Sequence, residues 1–290
     1  MRNLVVGAGI GLVSGVLSGA FGIGGGIITT PAIRLILGAP ALVAVGTPLP
    51  VIFPSALAGA ISYARNGIAD VRAGVVCGLA GSLTAVAGAW ATQLVGGNVV
   101  LIATAVLILY SAADTVAQVL HPPRVELVSG EEADAFRSAT VELATAEDAL
   151  VSAPAAASAA NAAAAASALF PLVWIGALTG LYAGFLGLGG GFVLVPLLTR
   201  WRRFGMKRAI ATSLVAITIL SVPGTITHAL LGHIDWRIAA ALTVGVVPGA
   251  LLGARITIGA KERTVRLAFA ALLVVVGVWL AGSELGWLAR

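Results

Sequence analysis

The chain has 290 residues, 59% of them hydrophobic and 10% charged, with a mean hydropathy of +1.04. Soluble domains carry roughly 25% charged residues, so this composition excludes an ordinary globular protein and reads as a polytopic membrane protein. The formal charge of +5 would suggest nucleic acid as a partner of a soluble chain; here it is read as basic loops held on one side of a bilayer, and no nucleic acid is expected.

The first apolar segment, roughly 3–22, has only Arg2 in front of it and runs into glycines instead of a small-residue cleavage site. It is therefore read as a retained span and not a signal peptide. Next comes FGIGGGIITTP at 21–31, opening a segment at 26–38 that is too short to cross a bilayer as a helix. Segments at 41–64, 72–95 and 98–119 complete a first set of five. Residues 120–167 hold seven of the twelve acidic residues and end in AAASAANAAAAASA, a composition read as a cytoplasmic linker. A second set follows at 168–187, 191–199, 209–231, 237–258 and 265–283, its short member opening with LGLGGGFVLVP at 186–196.

The two sets are copies. Sliding the chain by 165 positions aligns 15–92 with 180–257 without a gap and gives 21 identities in 78 positions. They include Gly24, Gly25 and Gly26 with Gly189, Gly190 and Gly191, Pro31 with Pro196, Thr47 with Thr212, and Asp70 and Arg72 with Asp235 and Arg237. Chance matches in an Ala/Gly/Val-rich chain would not include a spaced Asp-x-Arg. The predicted domains are a first transmembrane repeat at 1–119, the linker at 120–167 and a second repeat at 168–290. Basic residues crowd 200–208 and 255–266, and Arg65 and Arg72 lie between the third and fourth segments. Placing 65–72 on the same side as those loops puts thirteen of the seventeen basic residues in the cytoplasm and makes the first half the inverse of the second. The expected fold is thus an all-α inverted repeat, each half with about four spans plus a short re-entrant helix started by glycines. The expected location is the cell (plasma or inner) membrane.

Short, glycine-interrupted segments at matching positions of inverted repeats point to a transporter's central site. Irregular backbone at membrane depth persists only where it is buried in protein or lines a wet cavity. A broken helix exposes N–H groups at the positive end of the next half-helix, and glycine lets an anion approach that backbone closely. Gly24, Gly25, Gly26, Gly189, Gly190 and Gly191 are therefore the predicted substrate-binding backbone. Gly15, Gly19 and Gly22, spaced for one helix face, are read as helix packing instead.

Thr29, Thr30, Thr47, Thr212 and Ser213 are the hydroxyls expected beside that backbone, with Ser55, Ser221 and Thr225 as further donors. A hydroxyl bonded to its own helix carbonyl is the structural alternative for each. His228, a histidine within an apolar run, and Asp114, the one acid well inside a span, are the candidates for ion coupling. Arg34 is a candidate for attracting an anion at the outer mouth. His121 and His233 fall in loops and look ordinary. Asp70 and Asp235 stand where helix N-caps are needed. Cys77 is the only cysteine, and no histidine pair has metal-ligand spacing with a nearby carboxylate, so neither a metal nor a cofactor is expected. No catalytic triad, H-E-x-x-H or paired carboxylate is evident, so the protein is not read as an enzyme.

GIGGGIITTP and GLGGGFVLVP, each followed by a Thr motif (GTPL at 46–49, ATSL at 211–214) and by YARNGIADVRAG or HALLGHIDWRIA, resemble the sulfite exporter TauE/SafE family. The resemblance spans about 15–110 and 175–280. It implies a secondary transporter of small sulfur-containing or organic anions such as sulfite, thiosulfate, sulfoacetate or other sulfonates. The first Thr motif departs by reading Thr47-Pro48 where the second has Thr212-Ser213. Partners expected on this reading are the anion, the lipid bilayer and a second copy in a homodimer. A passive anion channel is the alternative function.

Overall fold

The computed structural model describes residues 2–95, 97–120, 154–187 and 189–288. They form α1 (Arg2–Phe21), α2 (Gly26–Leu35), α3 (Ala41–Gly46), α4 (Pro48–Arg65), α5 (Val71–Val95), α6 (Gly97–Leu120), α7 (Pro154–Leu186), α8 (Gly191–Trp201), α9 (Met206–Leu230), α10 (Trp236–Gly259) and α11 (Glu262–Leu288). No strand occurs among the described residues. Among the described residues, five helical stretches are long and apolar enough to cross a membrane: Ala41–Arg65, Val71–Thr92, Leu169–Leu186, Met206–Leu230 and Trp236–Gly259. The first of these joins α3 and α4 through Thr47, ahead of Pro48. The protein is an all-helical, multi-pass membrane protein.

Most of the segment assigned to the linker, 121–153, lies outside the described residues. Its alanine-rich end is helical, because α7 begins at Pro154 and runs into the span. Alanine has the highest intrinsic helix propensity, so a polyalanine run continues a helix more readily than it breaks one.

Lipid tails are as apolar as leucine, so helices in a membrane associate through close packing rather than through water exclusion. The α1–α10 contact shows how. A Cβ placed on Gly11, Gly15 or Gly19 would fall 2.1, 2.2 or 2.0 Å from the carbonyl oxygens of Leu242, Val246 and Ala250. The backbones touch, and only glycine fits. Partner numbers rise together, so α1 and α10 run parallel. The α5–α7 contact repeats the arrangement with the halves exchanged. Gly176, Gly180 and Gly184 lie against the carbonyls of Cys77, Gly81 and Ala85, each 165 positions from its counterpart. Thr257 donates to the Ala20 carbonyl at 2.9 Å, and its repeat-mate Thr92 donates to Phe185 at 2.9 Å.

At the centre α4 packs on α9. Gly59 faces Leu214 while Gly224 faces Leu49, so these two repeat-mates run antiparallel. One end of the bundle gathers 65–72, 200–208 and 258–266. There Arg208 pairs with Asp70 at 2.6 Å, Arg200 pairs with Asp114 at 2.7 Å, and Lys207 donates to the Ile258 carbonyl at 2.8 Å. The opposite end gathers 37–47 and 231–238, where a Cβ on Gly46 would meet the His233 carbonyl oxygen at 2.4 Å.

Candidate functional site

Both glycine triplets break their helices. α1 stops at Phe21 and α2 starts at Gly26; α7 stops at Leu186 and α8 starts at Gly191. In between, Gly22, Gly24 and Gly25 have φ of 68°, 76° and 79°, and Gly187, Gly189 and Gly190 have 66°, 77° and 73°. A left-handed backbone costs an L-residue roughly 1–2 kcal/mol, so glycine at these positions is a requirement of the chain path. Gly22, assigned from its spacing to a packing face, does pack closely, with the Ile210 carbonyl oxygen 2.8 Å from where a Cβ would stand, and also belongs to the break itself. Its carbonyl accepts a hydrogen bond from the Ser213 hydroxyl at 2.9 Å.

The two breaks meet. A Cβ on Gly24 would lie 3.8 Å from the Gly189 Cα, between the Cγ2 atoms of Ile52 and Ile217 at 3.1 and 3.2 Å. Ile52 and Ile217 are themselves repeat-mates and are 1% and 0% exposed. In α2 the donors Ile28 and Thr29 both bond the Gly25 carbonyl, and in α8 Val193 and Leu194 both bond that of Gly190. The amides ahead of these first bonds are the groups a helix N-terminus leaves without an internal partner. Two such starts, one from each half, therefore sit side by side in an apolar, buried centre, each at the positive end of its dipole.

Hydroxyls cluster behind the breaks. Ser14 donates to the Gly25 carbonyl at 2.9 Å and Ser55 donates to Ser18 at 2.8 Å. Thr179, the repeat-mate of Ser14, touches Gly190 with its methyl group instead, and its buried hydroxyl has no partner among the described residues. Thr30, fully buried in α2, is in the same state. Thr29 bonds back to Gly25 at 3.1 Å, as a helical threonine ordinarily does. The sequence contained a signal for Ser14 and Thr179, since the same 165-residue offset, taken one position beyond the aligned block, puts a hydroxyl in both halves.

The remaining predicted residues take other places. Thr47 accepts the Asp235 N–H at 3.0 Å, and Thr212 accepts that of Asp70 at 3.1 Å. These mirrored bonds tie each half's central helix to the start of the other half's next one. Asp235 in turn caps α10 by accepting from the amides of Arg237 and Ile238, and Asp70 accepts from Ala73 at 3.0 Å. Burial pushes the Asp70 carboxyl up, but the Ala73 amide and the Arg208 guanidinium outweigh it and hold the group below the usual aspartate range. Asp114 is ion-paired with Arg200 near the basic end. Arg34 donates to the Ala39 carbonyl at 3.3 Å. His228 is buried; its Nε2 lies 3.1 Å from the Gly184 carbonyl and its Nδ1 3.2 Å from Nδ1 of His233, which spacing alone did not reveal. Among the described residues no cluster of His, Cys, Asp or Glu has the makings of a metal site.

A cleft of about 630 Å³ opens at the end opposite the basic loops, lined by Leu37, Ala39, Val43, Asp235, Trp236 and Arg237. At the basic end the equivalent positions carry larger groups. Arg202, Phe204 and Arg208 replace Leu37, Ala39 and Val43, and the Arg208 guanidinium both binds Asp70 and stacks 4.4 Å above the Phe204 ring. The two ends thus differ in bulk and charge at matching positions.

Comparisons with known proteins agree with this architecture. The family model described as "Sulfite exporter TauE/SafE" matches residues 7–280. The "Probable membrane transporter protein YunE" of Bacillus subtilis is 24% identical over 288 residues, covering 93% of this chain and 94% of its own length. A "Probable membrane transporter protein" of Xylella fastidiosa strain 9a5c is 25% identical over 283 residues, covering 97% of this chain and 95% of that one. A "Probable membrane transporter protein" of Methanocaldococcus jannaschii is 23% identical over 285 residues, covering 93% and 92% of the two chains. No solved structure matches. With its glycine-broken repeats and a match over nearly its whole length, the chain belongs to the sulfite exporter TauE/SafE family of membrane transporters.

Proposed function

We propose that the chain is a secondary transporter of small sulfur-containing or organic anions, with sulfite, thiosulfate, sulfoacetate and other sulfonates as its substrate class. The observation that carries this reading is the contact between the two glycine breaks, which sets two helix starts side by side at buried depth. An oxyanion there is held by backbone N–H groups and neutral hydroxyls, which release it more readily than a cage of arginines. Thr30 and Thr179, buried and without hydrogen-bond partners among the described residues, are the side-chain donors best suited to turn toward it.

The halves act as an inverted repeat. Antiparallel pairing of the repeat-mates α4 and α9 supports this, because a two-fold axis perpendicular to membrane-crossing helices lies in the membrane plane. The basic end, with Arg65, Arg202, Arg203, Lys207, Arg208 and Arg263, faces the cytoplasm. The open cleft at the other end, the buried Ile52 and Ile217 at the centre, and Arg208 bound to Asp70 and stacked on Phe204 at the basic end support a carrier resting with its outer mouth open. Alternating access then consists of rocking one half on the other across the α4–α9 contact.

The test is counterflow in proteoliposomes. Preloading with unlabelled thiosulfate accelerates uptake of labelled thiosulfate through a carrier and leaves it unaccelerated through a passive anion channel. Purified protein challenged with sulfite, thiosulfate, sulfoacetate, taurine, sulfate and lactate is expected to gain apparent stability with one or more of the sulfur anions, rising with ligand concentration. No shift with any of them refutes the substrate class.

A further inference from the structure

His228 ends the second half's central helix, and His233 follows in the loop that leads into α10. Their rings are 5.3 Å apart between centroids and their Nδ1 atoms are 3.2 Å apart. Hydrogen-bonding rules assign every proton. The Gly184 carbonyl only accepts, so the His228 Nε2 beside it at 3.1 Å carries a hydrogen and donates. In a neutral ring the His228 Nδ1 is then a bare lone pair, and the contact with His233 is a hydrogen bond only if His233 donates from its own Nδ1. One lone pair in the pair remains unused, on Nε2 of His233.

We infer that His228 and His233 form a proton-binding site of capacity one, filled at Nε2 of His233, at the end of the bundle away from the basic loops. A single added proton leaves both hydrogen bonds intact. A second would have to break the Nδ1–Nδ1 bond and set two imidazolium rings against each other in a buried space, where desolvation penalises charge. Few other charges compete for the role. α3 has no titratable residue, and the described side chains of α7 offer only Tyr182; α4 brings Tyr63 and α5 brings Cys77, while their charged residues, Arg65 and Arg72, belong to the 65–72 segment at the basic end. The basic residues of α9, Lys207 and Arg208, lie at its far end. In the following loop and α10 the nearest charged groups are Asp235, whose carboxylate accepts two backbone amides, and Arg237.

The site touches the moving parts. Gly184 is three residues ahead of the φ-positive Gly187 that begins the second break. The His233 carbonyl presses on Gly46, one residue before Thr47. Residues 234–238, which follow His233 directly, line the open cleft. The first half supplies a built-in control. Tyr63, the repeat-mate of His228, donates its hydroxyl to the Gly19 carbonyl at 3.0 Å, the same bond made by a group with no basic ring nitrogen to take up a proton. Ile68 is the mate of His233.

The experiment is nitrogen-15 histidine NMR of the full chain in micelles, which contains three imidazoles in all, with His121→Gln identifying the third. Near pH 8 the expected spectrum has His228 protonated at Nε2 and His233 at Nδ1, and acidification adds one proton, at Nε2 of His233. A His233 ring already protonated at Nε2 near pH 8, or two independent one-proton titrations, overturns the inference. The double variant His228→Tyr with His233→Ile copies the other half and is expected to fold. Burial holds the His233 imidazole below its ordinary value, so the unfolded chain binds protons that the folded chain refuses. Stability is therefore lost as pH falls below about 6.5. The double variant should lose less over that interval, and an acid profile parallel to the wild type likewise overturns the inference. These readouts are independent of transport, so their failure leaves the anion-carrier reading standing.

Discussion

Replacing Gly24 by alanine tests the contact between the two breaks directly. Two costs follow from the geometry. The backbone at Gly24 has φ of 76°, where an L-residue is penalised by roughly 1–2 kcal/mol. The new methyl also arrives 3.1 Å from Ile52 Cγ2 and 3.2 Å from Ile217 Cγ2, so both isoleucines must retreat by a few tenths of an ångström within a close-packed centre. Mild overpacking of that kind costs on the order of 1 kcal/mol. Gly24→Ala should therefore destabilise by about 2–3 kcal/mol. Gly189→Ala should do nearly the same, because its methyl meets Ile52 at 3.1 Å and φ there is 77°. Gly9→Ala is the matched control. It lies within α1 with no atom within 4 Å of the new methyl, so helix propensity alone acts and favours alanine by up to about 1 kcal/mol. Apparent melting of purified protein in one detergent, followed by intrinsic tryptophan fluorescence, ranks the three. The reasoning fails if Gly24→Ala melts with the wild type, or if Gly9→Ala is as damaging as the two break variants.

Other outcomes follow from the mirrored contacts. Thr212→Val and Thr47→Val each leave a backbone N–H, of Asp70 or Asp235, without its acceptor; equal losses of about 1–2 kcal/mol are expected in chemical unfolding, and unequal ones would deny the equivalence of the two bonds. Gly180→Leu forces α5 and α7 apart, since even a Cβ would lie 2.0 Å from the Gly81 carbonyl oxygen; little folded protein should be recovered on size-exclusion chromatography, and a monodisperse, stable variant would refute the packing. Arg208→Gln removes the partner that keeps the Asp70 carboxylate charged. Because that carboxyl titrates lower when folded, its stabilisation is present above the unfolded value near pH 4 and is lost as pH falls through the folded one. Wild type and variant should therefore differ by about 0.2–1 kcal/mol at neutral pH and converge in acid.

What the chain disclosed in advance follows from what a sequence encodes locally. Consecutive glycines cannot be explained by a packing face, so both breaks were readable, and Asp70 and Asp235 declared themselves as caps by preceding apolar runs. Gly15 and Gly19 were legible as contact glycines, though the helix they touch was not. Partners across the halves depend on how the halves dock, and no residue near Gly15 names Val246. Gly22 was legible as a contact glycine, and a Cβ there would meet the Ile210 carbonyl oxygen at 2.8 Å, but its place in the break was not, because a spacing of three or four residues describes both the last turn of a helix and the first turn after it. The His228–His233 contact escaped for a related reason. A spacing of five is unremarkable on a helix and becomes a contact only because the chain leaves α9 at Leu230 and folds back. Thr47 and Thr212 were singled out as paired substrate donors, and the structure gives each a bond to the other half.

A carrier whose halves were identical in sequence would rest equally in its inward-facing and outward-facing forms, since the symmetry operation converts one into the other. Any resting bias must come from positions where the copies disagree. Val43 opposite Arg208 and Ala39 opposite Phe204 are such positions, with small groups at one mouth and a guanidinium stacked on a ring at the other. On the alternating-access mechanism proposed above, divergence after duplication would serve as a thermodynamic tuner. Exchanging those two pairs between the halves should reverse which doorway stands ajar while leaving the glycine hinge untouched.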